Sequence, residues 1–181
     1  MPAIPDAQLG HIGFTVRNLD AMIAFYTRVL GMVVNDEGVS NRPGAPRIAF
    51  LSRNSTEHHQ VAMVTGRPDD GSPSQINQIS FRLADLEALR TFYKLLVAEK
   101  VKALDPRNHG NAWSIYFMDP EGNRLEVYTA SPWYVTQPFG QPLDLTQPAA
   151  AIEAETERMV RADPSHCTAE DWSRRLAAKL A

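Results

Sequence analysis

Residues 11–30, "HIGFTVRNLDAMIAFYTRVL", recur without a gap as residues 78–97, "QISFRLADLEALRTFYKLLV". The offset is 78 − 11 = 67 positions, so Tyr26 aligns with Tyr93. Each copy begins with the alternation of apolar and polar residues that is typical of a strand, and it continues with apolar residues at helical spacing. The repeat therefore predicts two modules of the same β-α fold.

Three strand-like segments follow each predicted helix, so each module is predicted to be β-α-β-β-β. The segments are "GMVVNDE", "PRIAFLS" and "HHQVAMVT" in the first module and "VKAL", "AWSIYFMD" and "NRLEVYTA" in the second. Residues 66–75 form a linker rich in Gly, Pro, Ser and Asp. We predict an α+β fold with three parts: a first module at 1–66, a second module at 76–130, and a tail at 131–181 with helices at 149–162 and 169–180.

Composition excludes several classes of protein. The chain of 181 residues is 44% hydrophobic and has a formal net charge of −3, with dispersed Lys and Arg, so we expect no binding to nucleic acid or membranes. No apolar run approaches the roughly 20 residues of a membrane span, and no secretory signal is visible. The single cysteine, Cys167, excludes an internal disulfide. We predict a cytoplasmic protein with a small-molecule substrate.

Polar residues fall on the sheet face away from the helices. Alternation places His11, Gln78 and Glu126 on that face. A carboxylate in a half-buried strand needs compensation. Subtracting the offset from Glu126 gives 126 − 67 = 59, and the spacing of 48 from His11 to His59 equals that from Gln78 to Glu126. Alternation alone allows His58 or His59, and the repeat selects His59.

A divalent metal would compensate Glu126. The four predicted ligands are His11, His59, Gln78 and Glu126. Two imidazoles and a carboxylate suit Fe(II), Mn(II), Zn(II), Co(II) or Ni(II), and with open positions they resemble the facial triad of non-haem iron oxygenases. The alternative is that His11 is an ordinary strand-edge histidine and that Glu126 pairs with Arg124 or Arg82.

Two stretches, "HIGFTVRNLDAMIAFYTRVLGM" (11–32) and "DPEGNRLEVY" (119–128), resemble the vicinal oxygen chelate superfamily. That superfamily includes glyoxalase I, fosfomycin and bleomycin resistance proteins, methylmalonyl-CoA epimerase and type I extradiol ring-cleavage dioxygenases. The resemblance covers about residues 9–134. It implies two βαβββ modules that form a cupped mixed sheet around a divalent metal, and often a homodimer. Fold alone does not determine the activity.

The nearest resemblance is to extradiol dioxygenases, through "HGNAWSIYFMDPEGNRLEVY" (109–128). These enzymes have a His-Gly turn and a strand tyrosine ten positions before the ligand glutamate. Tyr116 matches that tyrosine, and His109-Gly110 takes the place of the His-Gly turn, although it lies two residues nearer the glutamate. The resemblance implies that His109 and Tyr116 bind and polarise the oxygens of a catechol. It also implies that a histidine at the His59 position assists proton transfer. We predict a metal-dependent extradiol-type dioxygenase, with Fe(II) as the first candidate metal.

Position 78 departs from the extradiol pattern, which has a histidine ligand there. Either His59 becomes a ligand and Gln78 a weak fourth one, or the metal binds poorly. Mixed Gln, Glu and His ligands are typical of glyoxalase I and the epimerase. An isomerase or lyase therefore stays an alternative, as does a small-molecule binding or resistance protein.

Overall fold

The computed structural model describes residues 8–69, 71 and 76–180. Within the predicted first module, residues 1–7 lie outside the described residues, as do residues 70 and 72–75 of the predicted linker. The chain divides into two compact units. The first unit is Met1–Ser74 with Asp119–Glu121, and the second is Gln75–Met118 with Gly122–Ala181.

The first unit is a βαβββ module with strands β1 (Ile12–Val16), β2 (Val33–Val39), β3 (Arg47–Ser52) and β4 (Val61–Thr65) and helix α1 (Leu19–Leu30). The strand order is β1-β4-β3-β2, with β1 parallel to β4 and the other pairs antiparallel. Asn18 caps α1 by accepting a hydrogen bond from the Ala21 backbone N–H, and Gly31 ends α1 with a left-handed φ of 64°. The predicted strand at His58 begins three residues later, at Val61.

The second unit repeats this order with strands β5 (Ile79–Arg82), β6 (Asp105–Asn108), β7 (Ala112–Met118) and β8 (Arg124–Ala130) and helix α2 (Leu86–Ala98). Its strand order is β10-β6-β7-β8-β5, where β10 (Gln141–Pro142) comes from the tail and β5 runs parallel to β8. Asp85 caps α2 by accepting a hydrogen bond from the Ala88 backbone N–H. The predicted α+β class and both βαβββ modules are therefore confirmed.

The strand predicted at residues 101–104 is wrong. Lys100 and Ala103 adopt left-handed φ values of 54° and 57°, which break an extended chain there. The strand instead covers Asp105–Asn108, although Asp, Pro and Asn are poor strand formers. Asp105 lies opposite Tyr116 and Asn108 lies opposite Trp113, so pairing with β7 overrides local propensity.

The tail forms five elements, which are β9 (Trp133–Tyr134), β10 (Gln141–Pro142), α3 (Ala149–Arg161), β11 (Cys167–Thr168) and α4 (Ala169–Leu180). Both predicted tail helices are present, whereas the short strands were not predicted. β10 pairs with β6 and so covers that edge of the sheet. In α3, the Thr156 hydroxyl accepts hydrogen bonds from Asn108 Nδ2 at 2.8 Å and Trp113 Nε1 at 2.9 Å. The tail is thus packed against the second module.

The strand registers of the two modules can be compared directly. Ile12 of β1 lies opposite Val61 of β4, and Ile79 of β5 lies opposite Leu125 of β8. The first strands are 79 − 12 = 67 positions apart, but the fourth strands are 125 − 61 = 64 positions apart. The second module is therefore three residues shorter between these strands, and the sequence offset does not extend to its last strand.

Candidate active site

Glu126 is the centre of a group of polar side chains in the second unit. It lies in β8 opposite Ser80 of β5 and Tyr116 of β7, and its side chain is buried. Its Oε2 accepts hydrogen bonds from Gln78 Nε2 at 2.9 Å and from Ser80 Oγ at 2.5 Å. Both donors are neutral side chains, and neither is a cation that would compensate a carboxylate.

The alternative that Glu126 pairs with an arginine does not describe this arrangement. The Arg124 guanidinium lies instead over the Tyr116 ring, 3.9 Å from its centroid, in a cation–π contact. Glu126 is thus a buried carboxyl group held by neutral donors, and carboxyl oxygens are ligands of divalent cations.

His109 extends the group beyond Tyr116. Its Nε2 lies 3.0 Å from the Tyr116 hydroxyl, and its Nδ1 lies 2.7 Å from the Phe139 carbonyl oxygen. A carbonyl only accepts, so Nδ1 must carry a proton. In the neutral imidazole Nε2 is then an acceptor, and the Tyr116 hydroxyl donates to it.

Tyr116 keeps that proton over a wide pH range. Burial raises the pKa of Tyr116 to about 12, and the neighbouring Glu126 carboxyl group adds to the shift. At neutral pH the hydroxyl is therefore a donor. The structure brings Gln78, Glu126, Tyr116 and His109 together within one unit.

The first unit brings two other predicted residues together. His11 precedes β1 and is exposed, and His59 precedes β4 and is half-buried. Their ring centroids are 4.2 Å apart. Burial and the neighbouring His11 and His58 lower the pKa of His59, which favours the neutral form that binds metals. His58 hydrogen-bonds Asp36 at 2.7 Å through its Nε2.

The prediction that the repeat places His59 at the strand position of Glu126 is wrong. Because the fourth strands are 64 positions apart, the counterpart of Glu126 is Ala62 (126 − 64 = 62), and the counterpart of His59 is Asn123 (59 + 64 = 123). His59 therefore does not occupy the strand position of Glu126. Its role as a ligand stays a prediction, and it now depends on the closeness of His59 to His11.

The side chains of each unit have donor atoms that suit a divalent ion. The first unit offers two imidazoles, and the second offers a carboxylate beside an amide. Gln78 turns its NH₂ group toward Glu126, so ligation through its oxygen would require the amide to turn over. Within residues 8–69, 71 and 76–180, no group of three or more His, Cys, Asp or Glu is close enough to hold a metal.

Sequence reasoning missed Ser80 and the tail. Ser80 shares its strand face with Gln78, and the parallel pairing of β5 with β8 would have placed it opposite Glu126. The contact of His109 with Phe139 uses a backbone carbonyl 30 positions away, and a sequence pattern does not encode such a contact.

The fold and these side chains define a class of protein. Residues 8–127 match the Glyoxalase/Bleomycin resistance protein/Dioxygenase superfamily, and the chain belongs to it. The predicted family is confirmed.

Its curated relatives are dioxygenases. The chain is 29% identical over 147 residues to a 1,2-dihydroxynaphthalene dioxygenase of Sphingobium xenophagum, covering 76% of this chain but only 44% of the relative. It is 28% identical over 177 residues to biphenyl-2,3-diol 1,2-dioxygenase 3 of Rhodococcus globerulus, covering 86% of this chain and 88% of the relative. The chain thus spans less than half of the first relative and most of the second.

Solved structures share the fold. A glyoxylase/bleomycin resistance protein/dioxygenase domain from Frankia sp. EAN1pec aligns with a TM-score of 0.57 at 19% identity, covering 70% of this chain and all of that domain. The fosfomycin resistance protein FosX from Listeria monocytogenes, complexed with Mn(II) and sulfate, aligns with a TM-score of 0.55 at 18% identity, covering 70% of this chain and 95% of FosX. At these identities the likeness concerns the fold alone. In the described part of the chain, every helix is too short or too polar to cross a membrane.

Proposed function

We propose that the protein is a metal-dependent extradiol-type dioxygenase that acts on a catecholic aromatic compound. The observation that carries this proposal is the chain of contacts from His109 through Tyr116 to Glu126. Two relatives are named for vicinal diols, 1,2-dihydroxynaphthalene and biphenyl-2,3-diol. A vicinal diol offers two neighbouring oxygens for bidentate chelation.

The proposed cofactor is a divalent metal, with Fe(II) first and Mn(II), Zn(II), Ni(II) or Co(II) as alternatives. Its proposed ligands are His11, His59, Gln78 and Glu126. Support for this set comes from the donor chemistry of each module and from family membership. When bound, such an ion would fix the two diol oxygens and supply the redox chemistry with O₂.

The side chains of the second module have defined roles in this proposal. Gln78 and Ser80 hold one oxygen of Glu126, which leaves the other free for ligation. The Tyr116 hydroxyl donates to a substrate oxygen. His109 receives the proton of a substrate hydroxyl on Nε2, because its Nδ1 proton is already held by Phe139.

The test is anaerobic loading with Fe(II), followed by addition of O₂ and a panel of catechols. We expect one O₂ consumed per ring opened, with a coloured product, and we expect His109→Gln to bind iron but to turn over slowly. Stoichiometric iron without ring-opened product from any catechol would count against the dioxygenase.

One observation favours a second candidate, a glyoxalase- or epimerase-like isomerase or lyase. Gln78 contacts Glu126 directly, and with the two histidines as further ligands this pair would make the mixed donor set typical of those enzymes. Activity with Ni(II), Co(II) or Zn(II) in the absence of oxygen would favour this candidate. A binding or resistance protein would instead retain its ligand affinity after chelation of the metal.

We also propose that the chain forms a homodimer. The tail exposes Trp172, Leu176 and Leu180 of α4, which are spaced four residues apart and so share one helix face. Light scattering at working concentration measures the mass directly, and a monomer would contradict this proposal.

A further inference from the structure

We propose that Gln137 of the tail is a positioning residue for His109. Together with the Phe139 carbonyl, it holds the imidazole in the tautomer with the proton on Nδ1 and directs Nε2 at Tyr116. This inference rests on the proposed function for its catalytic meaning, but the tautomer itself can be measured independently of any activity.

Three hydrogen bonds join His109 and the tail into a closed ring. Gln137 Nε2 donates to the His109 carbonyl oxygen at 2.8 Å, and Gln137 Oε1 accepts from the Phe139 backbone N–H at 3.1 Å. His109 Nδ1 completes the ring by donating to the Phe139 carbonyl oxygen at 2.7 Å. One amide side chain therefore fixes the backbone of His109 relative to the carbonyl that its own imidazole uses.

The turn after His109 is packed against the same tail. Gly110 has a left-handed φ of 72°, and a Cβ atom there would lie 2.6 Å from Val135 Cγ2 and 3.1 Å from Val160 Cγ1. The Ser131 hydroxyl donates to the Gly110 carbonyl oxygen. The turn after His109 thus packs directly on the tail, and the ring of hydrogen bonds joins the imidazole to the same segment.

The tautomer decides what His109 can do. With the proton on Nδ1, the Nε2 lone pair lies 3.0 Å from the Tyr116 hydroxyl and can receive a proton. With the proton on Nε2, the ring would present a donor to Tyr116 and would leave Nδ1 without a proton for the Phe139 carbonyl, so two acceptor atoms would face each other. The ring of hydrogen bonds thus makes His109 a base toward the site.

The alternative reading is that Gln137 only stabilises the tail. Gln137 is exposed, so its replacement by the similarly shaped methionine should leave the fold intact. Gln147 offers a matched control, because it is an exposed glutamine of the same tail whose amide donates to Asp144 instead. Thermal unfolding of Gln137→Met and Gln147→Met measures whether the two substitutions cost similar stability.

The deciding experiment is ¹⁵N NMR of the imidazoles in metal-free protein at about pH 8, where an unperturbed histidine is neutral. The His109 signals are assigned by their loss in His109→Gln. We expect wild type and Gln147→Met to show a protonated Nδ1 and an unprotonated Nε2. Gln137→Met should show averaged shifts of a tautomer mixture. A wild-type Nε2–H tautomer, or unchanged His109 shifts in Gln137→Met, would overturn the proposal.

Turnover provides a second measurement. If the protein opens catechol rings, Gln137→Met should lower kcat about tenfold, a part of the 10²- to 10⁴-fold that a general base contributes, and KM should change less than about twofold. An equal fall in kcat for Gln147→Met would show a merely structural effect and would overturn the positioning role. If no catechol is turned over, the proposed function fails while the NMR result still decides the tautomer.

Discussion

The two modules place different side chains at equivalent positions of their own sheets. In the second module, Glu126 lies between Ser80 and Tyr116. In the first module, the strand registers put Ala62 between Gly13 and Phe50. The polar residues of the second module thus correspond to residues without polar side-chain atoms in the first. The pairs are Ser80 and Gly13, Glu126 and Ala62, and Tyr116 and Phe50.

The two modules therefore share the residues that pack the core but not the polar residues of the sheet face. Both modules keep the apolar residues that pack the helix on the sheet, so both fold alike. In the first module, His11 and His59 lie just before β1 and β4, and the centroids of their rings are 4.2 Å apart. Each module therefore carries a different kind of donor group, imidazoles in the first and oxygens in the second.

The largest expected effect is loss of the metal when either kind of donor is removed. We expect His11→Ala and Glu126→Ala each to abolish metal binding while the fold is retained, because a carboxylate and an imidazole are not replaced by the remaining amide. Elemental analysis of protein purified without chelators measures occupancy. Glu157→Gln, at an exposed ion pair with Arg161, is the control. Full occupancy in both alanine variants would show that the site is misplaced.

Tyr116→Phe makes the second module resemble the first, where Phe50 has the equivalent place. We expect kcat for ring opening, measured at saturating metal, to fall about 10²-fold, since a proton donor is lost. Tyr134→Phe is the control, because Tyr134 stacks on Trp172 of the tail instead. Unchanged turnover in Tyr116→Phe would remove this tyrosine from the mechanism.

The repeat predicted the fold well because the apolar spacing of residues 11–30 and 78–97 is set by packing alone. It failed at residues 101–104, where β7 imposes its register on a segment with low strand propensity. For the site, sequence motifs placed His109, Tyr116 and Glu126 near one another, as the structure does. The constant offset failed for His59 because the second module is three residues shorter, and loop length is invisible to an ungapped comparison. Contacts made by backbone carbonyls of the tail leave no pattern in the sequence.

His59 and Gln78 are the two candidates for the third metal ligand. If His59 is a ligand, His59→Ala should lower metal affinity about 10- to 100-fold or more, and Gln78→Ala should cost less, because imidazole suits iron better than a neutral amide oxygen. Titration of Fe(II) or Co(II) into each variant measures this, with His166→Ala in the tail as the control. If His59→Ala instead retains its metal and loses turnover, His59 is a proton shuttle and Gln78 is the third ligand.

The smallest expected effect concerns a pair of aligned tyrosines. Tyr26 is fully buried in the first unit and donates to Asp119 Oδ2 at 3.3 Å, whereas Tyr93 in the second unit is half-buried. We expect Tyr26→Phe to lower the free energy of unfolding by about 1.5–3 kcal/mol, the usual range for a hydrogen bond to a charged group. Tyr93→Phe should cost less than about 0.5 kcal/mol. Urea unfolding of both variants measures the difference.

The same pair predicts a pH dependence. Burial, followed by the charge of Asp119, raises the pKa of Tyr26 above its usual value, so the folded state favours the neutral phenol. The unfolded chain ionises this tyrosine near about pH 10. The stability that Tyr26 contributes is therefore fully present below that pH and is lost as the pH rises toward the folded-state pKa. The stability difference between wild type and Tyr26→Phe should shrink above about pH 10. A constant difference from neutral to strongly alkaline pH would mean that Tyr26 has the same pKa in the folded and the unfolded state, which would contradict this prediction.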